Sequence, residues 1–404
     1  MINAVLRVPV DIIYLYLEKA FDKGPHHRLI KQLQRYGIDG NLLLWIKNFL
    51  SDRTQSVKVG SATSDETPMR SGVPQGSVLG PVLFLIYVSD ISNIIKNFVS
   101  LFADDTKIFS YILKAADIEN PDICTPESIQ ADLNAVVNWA ENMQMKFNID
   151  KCHSLHLGHN NPKHMYTIPT QSNTKSKNSS KSYDYTFNKL TQVKEEKDLG
   201  VTVDEKLNFY KHIEGKINKA NMMLGIIRRT FKHMDKTVFN LLYKTLVRPH
   251  IEYASVIWSP HTKKYQEKIE RLQRRATKLI PEIKDLSYEQ RLKSLNLSTL
   301  QFRRLRNDLI HIYKITHNLI ELDTNTQCHH STEMLQQTMR PANRGHNFKY
   351  QIHHHQGTRN RFLTSRALTY WNNLHNKTVN AVSLNSFKNN LGKESSLPDK
   401  FKNF

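Results

Sequence analysis

The chain has 404 residues, 39% of them hydrophobic, so it can bury a sizeable core and is expected to divide into two or three units. Its formal net charge of +20 favours a polyanionic partner, nucleic acid first, over a merely soluble basic protein. The longest apolar run falls far short of the roughly 20 residues that cross a membrane, the start lacks a signal-peptide pattern, and the three cysteines are widely separated. These features predict an intracellular protein with neither a membrane span nor a disulfide framework.

Strands and helices alternate in the first part of the chain. A strand and a turn are predicted over residues 8–23, followed by helices at 25–36 and 40–50. The loop SGVPQGSVLG leads into a buried helix that begins at Pro81, and FVSLFADDTKIFSYIL then predicts a β-hairpin.

After the hairpin, Thr125 and Pro126 cap an amphipathic helix, and MKFNIDKCHSLHLG returns as a strand. Residues 159–184 have the composition of a solvated loop, and helical periodicity dominates from about residue 213. This order predicts an α+β fold in which an antiparallel sheet carries helices on one face and a helical region follows.

Two adjacent carboxylates, Asp104 and Asp105, fall at the tip of the predicted hairpin. Side by side they repel each other, which raises their pKa values unless a cation compensates. Carboxylate oxygens suit Mg²⁺, and two such ions about 3.5–4 Å apart promote phosphoryl transfer. An Asp-Asp pair alone is a weak signal, because turn chemistry explains it in most chains.

The order of the motifs is more specific than any one of them. AFD, SGVPQGSVLGP, FADD, NIDKC and KDLGV follow one another as in the reverse transcriptases of non-LTR (LINE-type, jockey-like) retrotransposons, which the chain resembles over nearly its whole length. The resemblance implies an RNA-directed DNA polymerase with a right-hand palm, an RNA template, a DNA primer, dNTPs and two Mg²⁺ ions. It divides the chain into a palm at 1–158, a polar insertion at 159–190, the end of the palm (a strand hairpin) at 191–212, a helical thumb at 213–320 and a basic, His-rich C-terminal region at 321–404.

The same resemblance assigns roles to single residues. Asp104 matches the metal-binding carboxylate of the catalytic hairpin, and Asp105 is its acidic neighbour. Phe21 matches the aromatic residue that closes the sugar pocket, with a core aromatic as the alternative. Gln75 and Gly76 match the loop that touches the incoming nucleotide and the template, and a simple turn is the alternative for Gly76.

Lys151, in NIDKC, matches the lysine that faces the departing pyrophosphate, although a solvated lysine fits equally well. One position departs from the family pattern: five residues before Phe21 the family has a metal-binding aspartate, and this chain has Tyr16. A phenol with a reference pKa near 10 cannot replace a bridging carboxylate at neutral pH. Glu18 is the best replacement if the first strand continues, since Asp11 lies too far upstream.

Residues 264–278 carry a line of cations on one predicted helix face. At roughly 1.5 Å per residue the line is about 20 Å long, which suits a phosphate backbone. An ordinary solvated face, supported by the neighbouring Glu267 and Glu270, is the alternative. The cations of this basic stripe are Lys264, Lys268, Arg271, Arg275 and Lys278.

Three functions remain open at this level: a polymerase by family that is expected to be inactive here, a non-catalytic nucleic-acid-binding remnant, and a decayed product with an exposed apolar patch. The family's fingers and endonuclease precede the first palm strand, so a truncated copy lacking both is expected. A location in the nucleus follows only from the resemblance.

The segments CHH at 328–330 and HHH at 353–355 match no familiar zinc-finger spacing.

Overall fold

The computed structural model describes residues 8–113, 124–158, 160–171, 185–320, 346–352, 362–394 and 396–397. They belong to two compact units, which we call the sheet unit (Arg7–Lys194) and the helical unit (Glu195–Phe404). Each unit has a hydrophobic core of its own. Within the described part of the chain, no helix is long and apolar enough to cross a membrane.

The sheet unit contains eleven described strands and five described α-helices. The strands are β1 (Val10–Tyr16), β2 (Thr54–Gln55), β3 (Lys58–Val59), β4 (Ala62–Thr63), β5 (Thr67–Pro68), β6 (Phe98–Phe102), β7 (Asp105–Tyr111), β8 (His153–Leu157), β9 (Thr167–Gln171), β10 (Tyr185–Lys189) and β11 (Thr191–Val193). The helices are α1 (Ala20–Lys23), α2 (His26–Arg35), α3 (Gly40–Leu50), α4 (Leu79–Val88) and α5 (Pro126–Asn142).

Five strands form the main sheet in the order β11-β8-β1-β7-β6. The pairs among β8, β1, β7 and β6 are antiparallel, as predicted, but β11 runs parallel to β8. Ile13, Leu15 and Ile108 on one face belong to the core that also contains side chains of α2, α3, α4 and α5. The prediction of an α+β fold is therefore confirmed, with one parallel strand pair as a difference.

Local sequence explains where α5 begins. The Thr125 side chain accepts a hydrogen bond from the Ser128 N–H, Ser128 reciprocates, and Pro126 occupies the first turn. Ile129 and Leu133 then fall on the face that the core buries.

The segment predicted as a solvated polar loop is in part structured. Strands β9 and β10 pair antiparallel, and Tyr166 and Ile168 are buried in the core of the sheet unit. Tyr166 and Ile168 are two positions apart, so both side chains lie on the same face of the extended chain. Two apolar residues in a polar segment are too few to predict a strand from the sequence. Residues 172–184 of that segment lie outside the described residues.

The helical unit begins with a β-hairpin and continues with helices. Its elements are β12 (Glu195–Asp198), β13 (Val201–Asp204), α6 (Tyr210–Thr230), α7 (Lys236–Leu242), α8 (Arg248–Glu252), α9 (Ser255–Trp258), α10 (Lys263–Thr277), α11 (Tyr288–Leu295), α12 (Leu300–Thr316), α13 (Leu363–Asn372), α14 (Asn376–Val379) and α15 (Leu384–Leu391).

The boundaries of the compact units differ from the predicted division of the chain. The β12–β13 hairpin belongs with the helices, and the Thr202 N–H donates a hydrogen bond to His212 Nδ1 of α6 at 3.1 Å. Residue 321 does not separate two units either, because Leu309, Trp371 and Phe387 share one core. The amino-acid composition changes at the predicted boundaries near residues 212 and 321, whereas the side chains on both sides of each boundary pack in the same unit.

Candidate active site and nucleic-acid interface

The two adjacent carboxylates lie at the tip of the β6–β7 hairpin. Phe102 and Asp105 are paired across the strands, so Ala103 and Asp104 form a two-residue turn. Ala103 takes a positive φ of 54°, as tight hairpin turns require. Both carboxylates are half-buried.

Tyr16 lies directly opposite Asp105 in the pairing of β1 with β7. Residues paired in this way share a face of the sheet and have Cβ atoms about 4.5–5.5 Å apart. The backbone of Tyr16 is held by Cys152 and Asn148: its N–H donates to Cys152 Sγ at 3.4 Å, and its carbonyl accepts from the Asn148 N–H at 2.8 Å. The side chain that β1 presents opposite Asp105 is thus a phenol.

Glu18 does not take the place of the missing aspartate. Strand β1 ends at Tyr16, and the backbone turns at Lys19, whose φ is 48°. The Glu18 carboxylate lies 2.8 Å from Lys23 Nζ, and this contact lowers the pKa of Glu18. Beyond Tyr16 the pairing continues only through an isolated bridge of Leu17 with Phe147 and a hydrogen bond from the Glu18 N–H to the Lys146 carbonyl, before the turn at Lys19.

Asp11 is engaged in the core of the sheet unit. Its carboxylate accepts hydrogen bonds from Asn161 Nδ2 at 2.7 Å and the Tyr166 hydroxyl at 2.5 Å, and it lies 2.7 Å from His156 Nδ1. It is five residues from Tyr16, so an odd number of steps places it on the opposite face of β1.

Lys151 lies in the turn before β8, at the same end of the sheet as Tyr16. Its side chain is exposed, and its carbonyl accepts a hydrogen bond from His153 Nδ1 at 2.7 Å. The His153 ring lies beside the rings of Tyr14 and Tyr16, with centroid distances of 5.2 and 6.0 Å. His153 was not predicted as a site residue, and only the strand register reveals its position.

The loop that contains Gln75 is docked on the α1 turn that contains Phe21. The Val73 N–H donates to the Phe21 carbonyl at 2.8 Å, and Gln75 Nε2 donates to Asp22 Oδ1 at 2.9 Å. Phe21 is half-buried and stacks on Phe84 at a centroid distance of 4.3 Å. The structure therefore brings Phe21 and Gln75 together. The side chain that connects them is Asp22, which was not predicted as a site residue.

The carboxylates at the hairpin tip do not fit a two-ion magnesium site. Asp104 and Asp105 supply two carboxyl groups, and the position facing them on β1 is Tyr16. Among the described residues, no group of three or more His, Cys, Asp or Glu side chains is arranged to hold a metal ion. The His-rich segments at 328–330 and 353–355 lie outside these residues.

The basic stripe lies on α10 and continues one residue beyond it. Lys268 is half-buried and the other four cations are exposed. Lys268 Nζ lies 3.0 Å from Glu214 of α6, and Arg271 lies 3.8 Å from Glu267. These exposed ion pairs are weak, so the cations remain available to a stronger anion. A groove of about 510 Å³ between α6 and α10 is lined by Lys268, Arg271 and Arg275.

Positive charge is concentrated in the helical unit. Residues 195–404 contain 36 Lys and Arg against 19 Asp and Glu, whereas residues 1–194 contain 21 against 18. The positive field therefore originates in the half of the chain that carries the basic stripe.

Large apolar side chains are exposed on α3 and α4 and just before α4. Leu44 and Trp45 of α3 are more than half exposed, and so is Val78; Val82 and Leu85 of α4 are about half exposed. An exposed apolar surface is the feature expected of a product that folds poorly by itself. The aggregation that would accompany it stays a prediction.

Residues 12–203, just under half of the chain, match the family described as "Reverse transcriptase (RNA-dependent DNA polymerase)". This part of the chain is a reverse transcriptase domain. The match begins in β1 and ends in β13, so the reverse transcriptase domain includes the hairpin tip, Tyr16 and the Gln75 loop.

Several curated proteins are similar to the chain. The "RNA-directed DNA polymerase from mobile element jockey" of Drosophila melanogaster is 27% identical over 281 residues, which are 66% of this chain and 28% of that protein. Its counterpart in Drosophila funebris is 24% identical over 361 residues, 87% of this chain and 36% of that protein. The "Probable RNA-directed DNA polymerase from transposon BS" of Drosophila melanogaster is 25% identical over 287 residues, 67% of this chain and 29% of that protein.

The chain thus spans about a third of the length of the curated relatives it matches. The prediction of a reverse transcriptase of the non-LTR, LINE-type retrotransposons is confirmed by the matched family and by these relatives.

Proposed function

We propose that this reverse transcriptase domain has the palm and catalytic hairpin of its family but does not catalyse nucleotidyl transfer. The observation that carries the proposal is the pairing of Tyr16 with Asp105. An aspartate at position 16 would place a third carboxylate beside Asp104 and Asp105, and a neutral phenol stands there instead.

The physical reason is the share of catalysis that the ions supply in this reaction class. Phosphoryl transfer depends almost entirely on positioning and on electrostatic stabilisation of the developing charge. Two carboxylates and a phenol offer less negative charge to two magnesium ions than three carboxylates do. The chain therefore retains the geometry of the palm hairpin without the charge that the chemistry requires.

The remaining assignments belong to the same proposal. Phe21 and Gln75 would contact the sugar and base of a dNTP, and Gly76 would lie beside them. Lys151 would face the pyrophosphate. The support for this grouping is the docking of the Gln75 loop on the Phe21 turn and the anchoring of the Lys151 turn at the Tyr16 end of β1.

The test restores the carboxylate. We expect Tyr16→Asp to bind Mn²⁺ in isothermal titration more tightly than the unchanged chain by at least tenfold, with Tyr16→Asn as the neutral control of similar size to Asp. Primer extension on an RNA template with Mg²⁺ and dNTPs should detect incorporation only in Tyr16→Asp, and Asp104→Ala in that background should abolish it. Incorporation by the unchanged chain that Asp104→Ala removes would overturn the proposal.

A second function, the binding of RNA or DNA without chemistry, is favoured by a separate observation. The basic stripe and the excess charge of the helical unit are independent of Tyr16. We propose that the chain holds a nucleic-acid template and primer through this surface. A charge-driven contact of this kind should weaken as salt rises.

A further inference from the structure

A polar pocket lies inside the helical unit, apart from the groove that the basic stripe lines. Its volume is about 270 Å³, and Gln266 of α10, Arg304 and Asp308 of α12 and Arg366 of α13 are among its lining residues. Gln301, which is exposed at the start of α12, also lines it, so the pocket reaches the surface of the helical unit there.

Arg304 is the unusual member of this pocket. Its side chain is 3% exposed, and neither terminal nitrogen has a hydrogen-bond partner in the part of the chain that the structure describes. Burial lowers the pKa of Arg304 to about 10, which still leaves the guanidinium charged at neutral pH. A buried charge without a partner is strongly unfavourable, so a site of this kind calls for an anion.

The carboxylates around Arg304 are already engaged. Asp308 accepts two hydrogen bonds of 2.8 Å from Arg366. Glu252 accepts hydrogen bonds from Arg303, and Glu270 accepts one from the Leu300 N–H at 3.1 Å. The arginines of this region therefore outnumber its carboxylates: Arg248, Arg303, Arg304, Arg306 and Arg366 stand against Glu252, Glu270 and Asp308.

We propose that this pocket binds a phosphate group through Arg304. A guanidinium offers two parallel N–H groups that match two oxygens of a phosphate, and such charge-assisted pairs are stronger than neutral ones. Liquid water occupies about 30 Å³ per molecule, so a pocket of this size admits a phosphate together with several waters. The phosphate could belong to a nucleic-acid backbone or be a free inorganic ion, and the two sources require different experiments.

The first experiment measures the melting temperature of the full chain in phosphate and in chloride at equal ionic strength. We expect phosphate to raise the melting temperature of the unchanged chain by several degrees. Arg304→Met removes the guanidinium and should abolish this rise. Arg229→Met, which removes an exposed arginine of α6 outside the basic stripe, should leave it unchanged.

A second variant covers the case in which Arg304→Met does not fold. Gln301→Glu places a negative charge at the exposed lining position and should weaken phosphate binding at least several-fold, measured by isothermal titration with inorganic phosphate. Equal stabilisation by phosphate and chloride, or a phosphate response that persists in both pocket variants, would show that the pocket holds only water.

The source of the phosphate is decided by titration with a single-stranded oligonucleotide. If the pocket takes a backbone phosphate, Gln301→Glu and Arg304→Met weaken oligonucleotide binding as well as phosphate binding. If it takes the free ion, the two variants lose only the phosphate response and Arg271→Met alone weakens oligonucleotide binding. If the two pocket variants change neither phosphate binding nor oligonucleotide binding, the proposal of a phosphate site is overturned. The proposal that Tyr16 prevents catalysis does not depend on this result.

Discussion

Gly72 and Gly76 lie in the loop that carries Gln75, and both have a φ of +80°, a backbone conformation that favours glycine. Their surroundings differ. A Cβ on Gly72 would stand 2.6 Å from the Asp22 Cα and the Phe21 carbonyl oxygen, whereas a Cβ on Gly76 would meet nothing within 4 Å. Gly72 is therefore required by contact with the α1 turn, and Gly76 by its turn alone.

This difference predicts two unequal losses of stability. Gly76→Ala should lower the free energy of unfolding by about 1–2 kcal/mol, because only the left-handed backbone is penalised. Gly72→Ala adds a collision with backbone atoms that cannot rotate away, and should cost at least about 3 kcal/mol. Urea denaturation followed by circular dichroism measures both. Equal losses would show that the loop is not docked on the α1 turn.

The residues of the candidate site could be predicted from sequence to different degrees. The sequence predicts that the carboxylate pair and Tyr16 are neighbours, and the register of β1 with β7 pairs Tyr16 with Asp105; the roles of these residues stay predictions. The Asp22–Gln75 hydrogen bond and the rings beside Tyr16 were not predicted, since both depend on the contact of segments that lie 53 and 137 positions apart. Local patterns do not encode such contacts.

At the scale of elements, α5 and the β6–β7 hairpin have strong local signals, a capping box and a tight turn between β-rich arms, and both form as predicted. Strand β9 contributes one apolar residue, Ile168, to the core, beside Tyr166 just before it, and β11 has three residues in all. These short strands exist because the sheet and α5 offer them partners, so their own sequences could not reveal them.

The junction between the β12–β13 hairpin and α6 depends on a neutral histidine. Burial, reinforced by the nearby Lys216 charge, lowers the pKa of His212 to about 4. Its Nδ1 accepts the Thr202 N–H, so a proton on that nitrogen would break the hydrogen bond. The folded state therefore favours neutral His212.

The stability of the helical unit should accordingly fall on acidification. Between about pH 6.5 and pH 4 the unfolded chain binds a proton at His212 and the folded chain does not, so the folded state loses roughly 2–3 kcal/mol across this window. His212→Asn keeps an oxygen acceptor and removes the titration, and should flatten this dependence in urea denaturation at pH 7 and 4.5. His233→Asn, at an exposed position, is the control; an equal effect of both variants would contradict the assignment.

At the scale of the whole molecule, charge is distributed unequally between two units that have separate cores. The sheet unit carries the reverse transcriptase motifs AFD, SGVPQGSVLGP, FADD and NIDKC and is nearly balanced in charge, whereas KDLGV lies in the helical unit. The helical unit carries most of the excess. A polyanion is therefore attracted mainly by the unit that does not contain the hairpin carboxylates.

This asymmetry predicts which cations determine the salt dependence of binding. For a single strand, the logarithm of the affinity falls with the logarithm of the salt concentration by about 0.7 for each phosphate contact, so removing three contacts should reduce the slope by about 2. The test variant replaces the exposed stripe residues Lys264, Arg271 and Lys278 with alanine, and the control replaces the exposed sheet-unit residues Lys31, Lys47 and Lys58. Fluorescence anisotropy of labelled RNA at several salt concentrations should show a lower slope for the first variant alone. Equal slopes in both variants would mean that net charge, rather than the basic stripe, holds the RNA.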